Sequence, residues 1–268
     1  MKTKNFFRAA GAVLAFVLIA GAAGCAKKSE NKLTIGATRD PHARLLEFVK
    51  DDYKKAGYDL EIVEFTDYVA PNSAVLDGSL DANFFQHIPY LEERAEWSNN
   101  MLAAFGVHVE PFALYSTKYK NLSELPDGAT IAVPNDPTNG GRAFLLLEAN
   151  GLIKLNPGAE LTATELDVVS NPHGYKFVAL EAAALPSALS DFDAACINGN
   201  YAMQAGLVPS RDGLIVEGSA SPYVNIVVVK KGTENDPRVI ALRDVMLTPK
   251  VRDFIEKTWP NGSVLAIF

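Results

Sequence analysis

The stretch VPNDPTNGGR, residues 133–142, puts an arginine behind two glycines, just ahead of the helix-forming run AFLLLEANGL. Arg142 is read as lying in the first turn of that helix. A cation near the positive end of a helix macrodipole is disfavoured by roughly 0.3–1 kcal/mol. A bound anion reconciles these features, because helix N-terminal amides and a guanidinium both hold one. Comparable residues gather after other apolar runs: Thr66, Asp67 and Tyr68 after LEIVEF, Gln86, His87 and Tyr90 after DANFF, Asn198, Asn200 and Tyr201 after DAACI. Thr38 and Arg39 follow LTIGA in the same way. In open α/β sheets, ligands bind beyond the carboxyl ends of strands. Hydroxyls, amides, an imidazole and aromatic rings there suit a small ligand with a charged polar end and an apolar body. Each residue also has an ordinary reading: turn capping for Asn135 and Asn139, half-buried packing for Tyr68 and Tyr90, a structural hydrogen bond for His87.

The same inventory weighs against catalysis. G-x-S-x-G and H-E-x-x-H are absent, and no cysteine lies near a candidate base. The site residues suit holding a ligand rather than reacting with it, so no enzyme is expected. The four histidines, His42, His87, His108 and His173, form no pair at close metal-ligand spacing. A metal-uptake binding protein is the alternative that this spacing disfavours, and no cofactor is implied.

The elements that would position these residues alternate. LTIGA reads as a strand and PHARLLEFVKDDYKKAG as a helix with Leu45, Val49 and Tyr53 on one face. Asp40 and Pro41 suit its N-cap and first position, and Gly57 its stop. LEIVEF, DANFF and LAAFGVHV follow as strands between the short helices APNSAVLDG and PYLEERAEW. The pattern restarts at ATIAV and ends with the apolar strand YVNIVVVKKG and helices around RVIALRDVML and KVRDFIEKTW. Strands alternating with helices predict an α/β fold with largely parallel sheets. Length and the restart favour two lobes, with the chain crossing near residues 112–120 and returning near 221–225: lobe 1 from 33–116 and 223–268, lobe 2 from 117–222.

The first two dozen residues precede this fold. Lys2, Lys4 and Arg8 introduce the short apolar run AAGAVLAFVLIAGAAG, a secretory signal (1–24) that ends at Cys25. Small residues before a cysteine resemble a lipobox, with Ala22 where leucine is usual, so Cys25 is the expected lipidation site and residues 25–32 a tether. Cys196, the other cysteine, is left without a disulfide partner and reads as a buried small hydrophobe. Removing the three basic leader residues takes the formal charge from −7 to −10. Such an acidic chain argues against nucleic acid and against an electrostatic membrane patch, leaving the lipid as its membrane contact.

The segments FTDYVAPNSAVLDGSLDANFFQHIPYLEE, VPNDPTNGGRAFLLLEANGLIKL, LEAAALPSALSDFDAACINGNYA and SPYVNIVVVKKG resemble, in order, the methionine-binding lipoprotein family, the substrate-binding subunits of methionine ABC importers. The resemblance implies a two-lobed periplasmic-binding fold with methionine, expected as L-methionine, clasped between the lobes. It implies delivery to a permease and its ATPase from a lipid-anchored position in the cell envelope. Arg142 would hold the ligand carboxylate, and Asn198 and Asn225 the amino-acid head group. Tyr68, Phe85, His87 and Tyr90 would line the side-chain pocket. Asn200 is not carried over, since relatives can differ there. Another small amino acid, a methionine derivative or a dipeptide stays open as ligand. The expected arginine–carboxylate pairing is bidentate, and removing Arg142 is expected to leave the ligand-free fold nearly as stable.

Overall fold

The computed structural model describes residues 30–218 and 221–268. The leader and Cys25 lie outside these residues. Residues 31–268 form one compact unit, built on two main sheets.

In the first half, β1 (Lys32–Thr38), β2 (Asp59–Phe65), β3 (Ala82–His87) and β4 (Met101–Val109) lie in one sheet. β5 (Ala113–Tyr115) already pairs in the other, so the chain changes sheets between Val109 and Ala113, ahead of residue 116. The second sheet continues with β6 (Thr130–Pro134), β9 (Lys176–Leu180), β10 (Ala194–Ile197) and β11 (Gly213–Val216), while β7 (Lys154–Leu155) and β8 (Val168–Ser170) form a small separate pair. The chain returns to the first sheet as β12 (Val224–Lys230) and β13 (Leu265–Ala266). The orders are β13-β4-β12-β3-β1-β2 and β11-β5-β10-β6-β9.

The sheets are mixed rather than largely parallel. β1 is parallel to β2 and β3, and β6 is parallel to β9 and β10, as crossover helices require. The remaining ladders, which involve the strands that travel between sheets (β4, β5, β11 and β12), run antiparallel.

The helix Arg44–Lys55 buries Leu45, Leu46, Val49 and Tyr53 against the first sheet. The apolar positions recur at helical spacing, and Gly57 ends the run at φ 98°. Val239, Leu242, Val251 and Ile255, from the last two helices, join the same core. Asp40 is not the N-cap. It precedes a proline, which disfavours the α region, and it lies extended at φ −113°, ψ 136° in an irregular turn, Arg39–Ala43, ahead of the helix. That turn buries His42. The run PYLEERAEW likewise gives two short helices, Ile88–Glu92 and Ala95–Ser98, rather than one. Among the described residues no helix is long and apolar enough to cross a membrane.

Two bulges sharpen the region where the sheets approach. Along β12, Ile226 faces Gln86 and Val227 faces Phe84, so Phe85 is the extra residue of β3. On the other side the register skips Val107, which sets His108 opposite Asn225. Bulges re-aim side chains in this way.

Candidate ligand-binding site

β2, β3, β6 and β10 all end toward one cavity, and the return strand β12 supplies its floor at Asn225. All seven residues that the family resemblance assigns to the ligand line it: Tyr68, Phe85, His87, Tyr90, Arg142, Asn198 and Asn225, whereas Thr38, Arg39, Thr66, Asp67 and Asn135 do not. Gln86, Glu110, Asn139, Gly199 and Asn200 complete the lining. Cys196 is buried behind it on β10, where burial pushes its thiol up.

Three rings make the apolar side. Tyr68 lies with its centroid 5.8 Å from Phe85 and 5.7 Å from Tyr90, and Phe85 lies 6.0 Å from Tyr90. A buried amide set, in which Asn72 bonds Gln86 and Asn83, ties β3 to the helix Ala70–Asp77 behind these rings. Tyr68 also packs on the aliphatic core of the second sheet, and its hydroxyl donates to Asn200 Oδ1 at 2.5 Å. Tyr201 sits outside the cavity and donates to the carbonyl of Thr66. Thr138 donates to Glu93 at 3.2 Å. These contacts join the two sheets' elements around the cavity.

Hydrogen bonds fix the polarity of the other wall. Asp136 is the N-cap of the helix Pro137–Ala149, and its carboxylate accepts from the Asn139 backbone N–H and from Asn139 Nδ2, both at 2.9 Å. The Asn139 carbonyl oxygen therefore faces the other way, where it accepts from Asn198 Nδ2 at 2.7 Å and from His87 Nε2 at 3.2 Å. His87 Nδ1 in turn accepts from the Tyr90 backbone N–H. Burial, helped by the nearby Arg142 charge, pushes His87 down to about 3, so it is neutral. Asn198 Oδ1 and Asn200 Nδ2 are left buried without a hydrogen-bond partner. An orphaned acceptor and an orphaned donor at the rim of one cavity are costly unless a ligand satisfies them.

The expectation for Arg142 changes in detail. It lies in the second turn of its helix, and the positive helix end is capped by Asp136 rather than by an external anion. The glycines serve packing. A Cβ on Gly140 would meet the Pro134 carbonyl oxygen at 2.9 Å, and one on Gly141 would meet the Leu161 carbonyl oxygen at 2.2 Å. Gly141→Ala should therefore lower the melting temperature by forcing the 161–163 backbone away, at a cost of about 1–3 kcal/mol. A melting temperature equal to wild type in thermal unfolding would contradict this packing role.

The guanidinium is buried between the rings of Tyr223, at 4.0 Å, and Phe112, at 5.0 Å. Its Nε and Nη2 form a two-pronged pair with the Glu217 carboxylate, the Nε bond being 2.9 Å, and Nη2 also donates to the Glu110 carbonyl at 3.0 Å. The planar fork is thus filled by the chain itself, and only Nη1 has no hydrogen bond among the described residues. Breaking a buried pair strands the other charge, so removal of Arg142 should destabilise the ligand-free fold, a revision of the sequence expectation that follows from the Glu217 pairing.

Glu110 is the residue the sequence reading missed. It follows VHV at the end of β4, where an acid after an apolar strand and before Pro111 was the available signal. It is buried, lies against Gly199 where a Cβ would stand 2.9 Å from its Oε2, and accepts from His108 Nε2 at 2.9 Å. Burial pushes its carboxyl up to about 7, against the pull of His42 and Arg142. With His42 and His108 it forms a set of potential metal ligands that sequence spacing did not show. Its contact with His108 is an N–H to carboxylate hydrogen bond at 2.9 Å, while His42 Nε2 lies 3.4 Å from the same oxygen and hydrogen-bonds Asn225 instead.

Two sheets that share a chain twice, with a buried cavity at their facing strand ends and complementary polar orphans, define the class: an α/β binding protein that encloses a small ligand between two lobes. The chain belongs to the NlpA lipoprotein family, whose model matches residues 33–268. It is 44% identical over 248 residues to membrane lipoprotein TpN32 of Treponema pallidum, covering 92% of each chain. It is 41% identical to the D-methionine-binding lipoprotein MetQ of Escherichia coli K12, covering 96% of each. A nutrient-binding protein of Burkholderia cenocepacia bound to methionine superposes with a TM-score of 0.84 at 40% identity, covering 88% of this chain and all of that one.

Proposed function

We propose that this protein is a lipid-anchored solute-binding protein that captures methionine in the cavity and delivers it to an ABC importer. Relatives named for methionine binding, and a structural neighbour with methionine bound, support the ligand. The observation that carries the reading is the pair of buried orphans, Asn198 Oδ1 and Asn200 Nδ2, in a cavity that also holds Arg142 and Glu110. A zwitterion answers all of them. Its ammonium donates to Asn198 Oδ1 and Glu110, and its carboxylate accepts from Arg142 Nη1, Asn200 Nδ2 and Asn225 Nδ2. The thioether then lies among Tyr68, Phe85 and Tyr90, where sulfur beside a ring gains about 0.3–1.5 kcal/mol. Because Glu217 occupies the arginine fork, the ligand carboxylate meets the remaining edge of the guanidinium rather than the whole fork.

In this reading Cys25 carries the lipid, residues 25–32 are the tether, and the lobe boundaries expected at 116 and 223 hold except that the first crossing falls before Ala113, so that β5 belongs to the second lobe. The two lobes close on the ligand as a hinge. The decisive measurement is calorimetry on ligand-stripped protein with L- and D-methionine separately. Binding of at least one enantiomer is expected, together with a raised melting temperature. A ligand at 100 times its Kd stabilises the folded state by about 2.7 kcal/mol. No heat and no thermal shift with either enantiomer would overturn the assignment. Tight zinc binding by chelator-treated protein in their place would favour the metal-uptake alternative, for which His42, His108 and Glu110 are the candidate ligands.

A further inference from the structure

Behind the cavity floor lies a second hydrogen-bond chain. It starts at Thr38, at the end of β1, and runs through His42 to Asn225 on β12. Thr38 Oγ1 lies 2.8 Å from His42 Nδ1, and His42 Nε2 lies 2.9 Å from Asn225 Oδ1, all of it buried. The Phe84 ring meets the imidazole edge-on at 4.6 Å and holds its plane.

Chemistry decides which way the protons point. His42 Nε2 also lies 3.4 Å from Glu110 Oε1. With a ligand ammonium beside it Glu110 is a carboxylate, which only accepts, so a bare lone pair on Nε2 would face it unfavourably, and the proton belongs on Nε2. Nδ1 is then the acceptor, and the Thr38 hydroxyl donates to it. His108, from the neighbouring strand, donates to the same Glu110 oxygen and keeps it in place.

With Nε2–H fixed, the Asn225 side chain has one orientation. Its carbonyl oxygen must face His42, and its amide nitrogen must face the cavity, where it has no hydrogen-bond acceptor among the described residues. We propose that His42 is a positioning residue: its Nε2–H pins the Asn225 carbonyl and so presents the Asn225 amide nitrogen, a donor, to the carboxylate of the bound amino acid. The inference rests on the amino-acid reading given above. Without that pin Asn225 is free to turn its carbonyl toward the ligand, where it repels a carboxylate but accepts from a carboxamide. His42 thereby sets discrimination between the acid and its amide without contacting either.

The test compares L-methionine with L-methioninamide on full-length protein in detergent, stripped of ligand, by calorimetry. His42→Leu should weaken methionine binding about 10- to 100-fold, the range for losing a hydrogen bond to a charged group. It should weaken methioninamide much less, so the acid-to-amide preference falls at least about tenfold. His42→Gln places an amide N–H near the lost Nε2–H and should restore most of the preference. Equal weakening of both ligands, or an unchanged preference, overturns the positioning role and leaves His42 as packing. Should His42→Leu fail to fold, the ring nitrogen shifts of His42 in ¹⁵N-labelled wild type decide the question. The Nε2–H tautomer is expected, and the Nδ1–H tautomer overturns the inference. A wild type that binds neither methionine enantiomer instead sinks the amino-acid reading itself, and this inference with it.

Discussion

Arg142→Ala should weaken methionine binding by factors of tens to thousands, the largest loss expected from any single substitution in the cavity. Losing one member of a desolvated, hydrogen-bonded charge pair costs roughly 2–5 kcal/mol of binding. Two further losses accompany it here. Glu217 is stranded as an unpaired and mostly buried carboxylate, and the Glu110 carbonyl loses a donor. The ligand-free melting temperature should therefore fall as well. Arg142→Lys recovers only part of either quantity, because an ammonium cannot span Glu217 and still reach the ligand. Methioninol, with no carboxylate, separates the roles: it should bind wild type poorly and lose little more in Arg142→Ala. Equal loss for both ligands would show that Arg142 shapes the cavity through Glu217 without touching the ligand carboxylate.

Methionine affinity should decline as pH is lowered through about 7, and Glu110→Gln should abolish most of that dependence. The Glu110 carboxyl is pushed up to about 7 chiefly by burial, so in the empty protein it is half protonated near neutrality. An ammonium placed against it favours the carboxylate and lowers its pKa in the complex. Binding below pH 7 must then expel a proton, and affinity falls by up to about tenfold per pH unit until the lower, bound pKa is reached. Above pH 7 the proton is already gone and affinity levels off. The same shift sets a stability trend of opposite sense to that of an ordinary ion-paired carboxylate. The folded state holds the proton more tightly than the unfolded chain, so this group costs nothing below pH about 4.5. Its cost grows between about 4.5 and 7 and then stays constant, reaching the order of 3 kcal/mol. The ligand-free wild type should therefore lose stability relative to Glu110→Gln across that interval. A pH-independent affinity, accompanied by no proton release on binding in buffers of different ionisation enthalpy, would remove Glu110 from the ammonium site.

The sequence by itself determined what local chemistry can announce. The apolar stripe of Leu45, Val49 and Tyr53 recurs at helical spacing, and the helix follows. Tyr68, Phe85, His87, Tyr90, Arg142 and Asn198 follow or end strands, which places them at one end of their sheets, and they meet in one cavity with Asn225. Family resemblance named the same residues. Tertiary structure alone decided what each of them faces. Arg142 and Glu217 are 75 positions apart, and His42 and Asn225 are 183 apart. Such pairings leave no periodicity or spacing in the chain, because they are set by the strands that pass between the two sheets. The glycines of NGGR illustrate the difference. Their sequence position suggested an anion approaching the backbone, while the carbonyl of Leu161 and the cap at Asp136 account for that space and that helix end. Glu110 escaped notice for the same reason. A single acid after a strand is unremarkable until burial, two imidazoles and Gly199 surround it, and only the folded chain brings those together.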